Sequence, residues 1–276
     1  MIDIRAVKTR RDKKRFIDFA SVIYKDYPNY VPQLRMDDYE LMNTRKHPFH
    51  KHSLVEHFIA FRDGCMVGRV AAIHNKLHNE YYNDKVGFFG MFECIDDQSV
   101  ANALLDTAAR WVKAQGLTVM RGPMNYSYTE SQALLIDNYD SHPAALLTYN
   151  PPYYKALIEQ YGLEKQVDLH AYKHDLGLVK DKLMTGLTAS LEKKGIRFRT
   201  VNLKDKKLEA KVLCKILNDY EAINTDNFYP ISEETALYFF KKLQPIIYKD
   251  MITFAEDDQG VMGFACGIPD YHEYFK

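Results

Sequence analysis

Among the residues that could do chemistry, one carboxylate stands apart. Glu93 lies in the run Val86-Gly-Phe-Phe-Gly-Met-Phe-Glu-Cys94, where every other side chain is apolar or absent. A carboxyl set among Phe88, Phe89, Met91 and Phe92 is disfavoured in its charged form. Its pKa rises, and it becomes a proton acceptor near neutral pH. The bland alternative is that Glu93 pairs with a cation such as Arg121 or faces solvent. Arg121, Asn125, Glu130, Tyr149, Asn150 and Asp168 fall at the ends of apolar stretches or in the loops that follow. Open α/β sheets gather ligands at such ends, so these residues are candidates to line a substrate cleft.

Histidines offer a second chemistry and do not complete it. His47, His50 and His52 cluster in Lys46-His-Pro-Phe-His-Lys-His52, with no carboxylate or cysteine at ligand spacing and two lysines among them. His170 and His174 lie on an expected strand, where four residues span about 13 Å, too far for one ion. No metal site is assigned. The four cysteines, Cys65, Cys94, Cys214 and Cys266, show no CxxC spacing and read as reduced thiols of a cytoplasmic protein. Lys and Arg number 37, as do Asp and Glu, and a neutral chain lacks the positive field that bulk nucleic-acid binding needs. No apolar run approaches a membrane span, and Met1–Val7 alternates like a strand rather than a signal peptide.

The elements that must position these residues can be read from periodicity. A strand over 2–7, a helix over 11–24 and a loop with short helical pieces over 27–53 come first. A hairpin of strands 55–62 and 65–74 and a strand over 86–95 follow. A helix over 98–115 carries Val100, Leu104, Leu105, Ala108, Trp111 and Val112 on one face and closes at Gly116. Next are a strand over 118–122, a short helix near 129–137, a strand over 144–149, a helix over 151–161 and a strand over 165–176. Strands first joined by a hairpin and then alternating with helices predict a mixed sheet with helices on both faces.

The chain then repeats itself. Ile196-Arg-Phe-Arg-Thr-Val201 follows Ile2-Asp-Ile-Arg-Ala-Val7 at an offset of 196 − 2 = 194, and Gly263 follows Gly68 at 263 − 68 = 195. Between them the order of strand, amphipathic helix (Val212, Leu213, Ile216, Leu217) and hairpin is the same, which points to duplication. The expected organisation is a complete domain over 1–176, a helical connector over 177–195 carrying Leu178, Leu183, Leu187 and Leu191, and the first part of a second copy over 196–276. Residue 276 corresponds to about residue 82 of the first copy, so the sequence reads as a fragment of a longer protein.

Several stretches carry a resemblance. They are Val67-Gly-Arg-Val-Ala-Ala72, Gly90-Met-Phe-Glu-Cys94, Arg121-Gly-Pro-Met-Asn125, Tyr149-Asn-Pro-Pro-Tyr-Tyr154 and Gly267-Ile-Pro-Asp270. With the element order, they resemble the GNAT (acyl-CoA N-acyltransferase) superfamily, and more narrowly bacterial proteins with two GNAT-like domains. The resemblance covers nearly the whole chain.

That resemblance implies an acetyl group passed from acetyl-CoA to a small-molecule or peptide amine. Glu93 would be the base for the amine. The tyrosine that protonates the leaving thiolate has Ile158 at its usual place, with Tyr154 and Tyr161 nearby and Tyr154 the candidate. Phe92, Cys94, Asp97 and Gln98 would lie along the cofactor track, and Arg121, Asn125, Tyr149 and Asn150 would face the acceptor. One departure matters. Between Cys94 and the next helix stand Ile95-Asp-Asp-Gln-Ser-Val-Ala101, with no glycine to hold a pyrophosphate and with two carboxylates in its place. The expectation is that cofactor binding belongs to the second copy. A non-catalytic binding module with the same fold is the alternative. A tandem ligase resembling the Fem peptidyltransferases is the third reading, disfavoured by the neutral charge. The sequence allows the copies to pair within one chain or, as a homodimer, between two.

Overall fold

The computed structural model describes residues 1–175, 177, 181–224 and 227–274. Among these, no helix is long and apolar enough to cross a membrane. The chain forms two compact units. One is Met1–Gln166 with the described residues of Asp226–Tyr229 and Asp270–Lys276. The other comprises the described residues of Val167–Thr225 and Pro230–Pro269.

The first unit is built on a five-stranded sheet in the order β1 (Ile2–Ala6), β2 (Leu54–Arg62), β3 (Cys65–His74), β4 (Val86–Cys94) and β5 (Val119–Arg121). The first four strands run antiparallel to their neighbours, and β5 is parallel to β4. Successive residues of β3 point to opposite faces, and each face has its own core. Val70 and Ala72 join Val100, Leu104, Ala108, Leu157 and Ile158 on one side. Ala71 and Ile73 join Phe16, Ile17, Leu41 and Met42 on the other. These helical residues come from α5 (Gln98–Ala114) and α6 (Tyr154–Gln160) on the first face. On the second they come from α1 (Arg10–Asp18), α3 (Arg35–Leu41) and the residue that caps α3. The sheet is therefore mixed and covered on both faces, the layering of a GNAT domain.

Local signals set the helix ends. Thr9 and Asp12 close a reciprocal capping box at the start of α1. Asp97 caps α5, and Gly116 just past its end has φ of 78°, the left-handed conformation that glycine reaches without strain. The expected helix over 11–24 breaks at Phe19 into α1, α2 (Ala20–Ile23) and a 3₁₀ turn over Tyr24–Asp26. A helix α4 (Lys76–Tyr82), capped by Asn75, fills the link before β4 and was not anticipated.

Three expected elements are absent. In place of a helix near 129–137, the chain folds back on itself. Asn125 N–H donates to Ser131 O, Ala133 N–H donates to Pro123 O, and Met124 bridges Gln132. In place of a strand over 144–149, Leu147 N–H closes a turn onto Ala144 O, and Leu146 has φ of 71°. Residues 165–175 form no strand, and every one is exposed. Alternating side chains cannot make a strand without a partner for the backbone. Residue 176 of that expected strand lies outside the described residues.

The second unit has α7 (Asp181–Glu192), β6 (Arg197–Thr200), α8 (Lys206–Asn224), α9 (Glu233–Leu243), β7 (Ile252–Asp257) and β8 (Gly260–Cys266). Its sheet runs β6-β7-β8, all antiparallel, over a core that includes Val201, Ala210, Ile216, Phe240 and Phe254. Arg199 grips the buried Glu209 through two hydrogen bonds of 2.8 and 3.2 Å and also pairs with Glu256. In the expected connector, Leu187 and Leu191 are exposed, while Leu178 and the side chain of Leu183 lie outside the described residues.

The two hairpins share an irregularity. Ala60 faces Gly68 and Phe61 faces Met66, so Val67 is the extra residue of a bulge. Ala255 faces Gly263 and Glu256 faces Val261, so Met262 is the extra residue there.

Candidate active site

All nine residues of β4 are buried, so any polar group on it must find its partner inside the protein. Arg69 of β3 faces Glu93, and the pairing slips by one residue before Ala71 meets Gly90. The bulged Met91 has φ of 46°. Glu93 sits at this irregularity. Tyr154 O–H donates to its Oε2 at 2.6 Å, while Tyr24 O–H and Arg69 Nη2 approach Oε1 at 3.3 and 3.4 Å. Burial raises the pKa of Glu93, with the Arg69 charge and the two phenols opposing it. The cation beside Glu93 is thus Arg69, not Arg121. Arg69 also donates to Phe16 O at 2.7 Å and lies 5.0 Å from the Phe16 ring, and its buried Nε has no acceptor.

Tyr154 is held twice, because Cys94 N–H donates to its oxygen at 2.9 Å. Burial, then the neighbouring Glu93, pushes the phenol well above its ordinary range. Around this pair stand further tyrosines. Tyr24 stacks on Tyr30 with ring centroids 3.7 Å apart, and Tyr27 meets both Tyr24 and Tyr149 edge-on. Tyr24, Tyr27 and Tyr30 recur every third residue, a spacing that could have flagged them as one cluster. Arg69, a lone charge within the apolar run of β3, could have been matched to Glu93 in the same way.

The track a pantetheine would follow is filled. After Arg121, β5 leaves β4, and Gly122 to Asn125 close the gap. Met124 N–H donates to Phe89 O at 2.8 Å, and Met91 N–H donates to Asn125 Oδ1 at 2.7 Å. The approach is close enough that a Cβ on Gly90 would fall 2.1 Å from Met124 O. Further along, Tyr153 O–H donates to Cys94 O at 2.8 Å. Burial pushes the Cys94 thiol upward, leaving it protonated. Phe92 packs edge-on against Tyr154.

The helix start that would hold a pyrophosphate is filled as well. Asp97 Oδ1 accepts from the backbone N–H groups of Ser99 and Val100, and Arg62 binds Oδ2 at 2.7 Å. The Arg62 and Ser99 hydrogen bonds hold the Asp97 carboxyl well below the usual carboxylate range, so its negative charge persists at neutral pH. Gln98 spends its amide on Asn102 and on Leu157 O. The residues of the first unit therefore do not fit a CoA: the donors are taken, and the local charge has the wrong sign.

Of the expected acceptor residues, Asn125 and Asn150 staple backbone. Asn150 exchanges hydrogen bonds with Leu135 N–H and O. Tyr149 joins the tyrosine cluster, its carbonyl within reach of Tyr24 O–H at 3.3 Å. Arg121 ends β5 opposite Phe88. Glu130 pairs with the buried His47 at 3.2 Å, while Asp168 is exposed.

No family model matches the chain. Among solved structures, a tandem GNAT protein from the clavulanic acid biosynthesis pathway aligns with 96% of this chain and 73% of its own, with a TM-score of 0.51 and 11% identity. Sheet order, layering and this alignment define the class: a tandem GNAT fold. Two curated relatives narrow it. Protein YghO of Escherichia coli (strain K12) is 32% identical over 98% of this chain and 69% of its own length. Bacterial ceramide synthase of Caulobacter vibrioides (strain NA1000 / CB15N) is 30% identical over 99% of this chain and 71% of its own. The chain belongs to the family of these two proteins.

Proposed function

We propose that the protein takes part in N-acyl transfer. The acyl group comes from a CoA thioester such as acetyl-CoA, and the acceptor is the amine of a long-chain amino alcohol. The observation that carries this is the 30% identity, over nearly the whole chain, to a ceramide synthase. A ceramide is an amide of a long-chain amino alcohol, and forming amides from thioesters is the chemistry for which the GNAT fold is known.

In this reading the first unit serves the acceptor, and the donor is held outside it. Glu93 can accept a proton at its carboxyl, whose pKa burial raises, and the Tyr154 phenol steadies the carboxylate until it does. The tyrosines around Glu93 offer an amphipathic surface for an amine with an apolar tail. A second reading, a non-catalytic binding copy, is favoured by the carboxylate plug at Asp97 and the filled gap beside β4.

The test pairs turnover with binding. The purified chain is incubated with an acyl-CoA and a long-chain amino alcohol, amide is sought by mass spectrometry, and each substrate is titrated calorimetrically. Amide formation supports transfer by this chain. Saturable binding of the amino alcohol without CoA binding supports the acceptor role and the non-catalytic copy. Neither turnover nor binding of either substrate sinks the proposal.

A further inference from the structure

A cavity of about 330 Å³ opens on the α1 face of the first unit, between the start of α1, the loop before the 3₁₀ turn at Pro48–Lys51, and β2. It has no part in the acyl-transfer reading. Phe16 stands between it and the Glu93 network: Arg69 lies over the Phe16 ring, and His57 of the cavity meets that ring edge-on at 5.1 Å.

The lining has a defined chemistry. Lys8, Arg10 and Lys13 are set against a single carboxylate, Glu56, which leaves a surplus of two positive charges. Lys13 spends one of its three N–H donors on Tyr39 O. The first turn of α1 adds little to this field, because Thr9 and the Asp12 carboxylate cap it, so the three side-chain cations carry the charge. Val7, Met42 and Val55 give the cavity an apolar wall. Two histidines complete it. His50 uses Nε2 on Leu41 O, and His57 uses Nε2 on Tyr126 O–H at 2.7 Å. The Leu41 carbonyl accepts only, so His50 carries its proton on Nε2. Its Nδ1 is then an acceptor for an acidic O–H. The volume is at the small end of ligand pockets.

We propose that this cavity is a binding site for a phosphate monoester, whose two negative charges match the cationic surplus. Its short alkyl part lies on the Val7, Met42 and Val55 wall, and its remaining acidic proton, in the monoanion, meets His50 Nδ1. The ester is either a free small molecule or the headgroup of a lipid such as phosphatidic acid, and the recognition chemistry is the same.

Ethyl phosphate is titrated into the chain while the ring Cε1–H resonances of His50 and His57 are followed by NMR. In parallel, the chain is sedimented with vesicles of neutral lipid and with vesicles containing phosphatidic acid. The expected result is saturable movement of both histidine resonances by ethyl phosphate, or sedimentation with the phosphatidic acid vesicles alone; whichever occurs assigns the source. The double variant K8A/R10A, two exposed side chains at the rim, should weaken the response roughly tenfold, the loss of about one charge-assisted hydrogen bond. Lys14→Ala, an equally exposed cation of α1 outside the cavity, should leave it unchanged. The proposal is overturned if neither arm responds at millimolar phosphate ester, or if Lys14→Ala weakens binding as much as K8A/R10A.

Discussion

Tyr154 donates to Glu93 Oε2 at 2.6 Å across 61 residues of chain, and the same oxygen of Tyr154 accepts from Cys94 N–H at 2.9 Å. One hydroxyl thus satisfies two buried groups of β4. Tyr154→Phe should cost about 1–3 kcal/mol, because both partners stay buried without it. The Glu93 pKa should climb further above its ordinary value, since the phenol is one of the groups that lowers it. Urea unfolding and carboxyl-carbon NMR check the two halves. An unchanged midpoint with an unchanged Glu93 titration would show the bond to be unimportant.

Acid should loosen the first unit through its buried histidines. Burial lowers the pKa of His50 and His52, and that of His57 to about 3. The unfolded chain, with histidine near 6.5, binds these protons first. Stability is therefore full above about pH 6.5 and falls as pH drops toward 3. His57 alone contributes on the order of 2 kcal/mol of loss by pH 5. Thermal melts between pH 8 and 5 should show a falling Tm, and His57→Gln should flatten the slope. A flat profile in the native chain contradicts the burial argument.

Asp97 does the work of a helix cap, and its removal should read as such. Asp97→Ala should cost about 0.5–2 kcal/mol, while Asp97→Asn, which keeps an acceptor for Ser99 and Val100 N–H, should cost less. The difference between the two reports the Arg62 pair, which is partly exposed and should be small. The carboxyl is held below its ordinary value, so its share of stability is present at neutral pH and lost only as pH falls below about 4. Chemical denaturation of both variants at pH 7 is the measurement.

The paired glycines should behave differently. A Cβ at Gly68 would meet Leu104 Cδ1 at 2.6 Å and Glu93 O at 3.0 Å, whereas one at Gly263 has open space. Gly68→Ala should destabilise by roughly 1–3 kcal/mol through overpacking. Gly263→Ala should be neutral or stabilising by up to about 1 kcal/mol, because it restricts the unfolded chain. Equal effects in hydrogen-exchange protection of the two hairpins would refute the contrast.

What the sequence reveals here follows from how local each signal is. The hairpin β2–β3, strand β4 and helix α5 were legible because each signal is local: an apolar period read residue by residue, with an end residue such as Asp97 or Gly116 next to it. Glu93 was legible as a buried carboxyl for the same reason. Its partner was missed although the signal was there: Arg69 is the lone charge of the apolar run of β3, and the β3–β4 register sets it opposite Glu93. The expected strand over 165–176 failed on the converse point. Its alternation is genuine, but whether such a segment becomes a strand depends on an available sheet edge. The segment 123–125, to which periodicity assigned no element, carries hydrogen bonds for β4, and the close approach at Gly90 is what allows them.

The extra residues Val67 and Met262 stand one position before Gly68 and Gly263 in two hairpins 195 positions apart. A bulge fixes the phase of a strand: beyond it, inward and outward side chains exchange places, so gaining or losing one later would turn a whole half-strand inside out. The two hairpins keep the same phase although few of the flanking side chains agree. The shared phase places the same one-residue insertion just before a glycine in both hairpins, although a Cβ at that glycine is crowded in the first hairpin and free in the second.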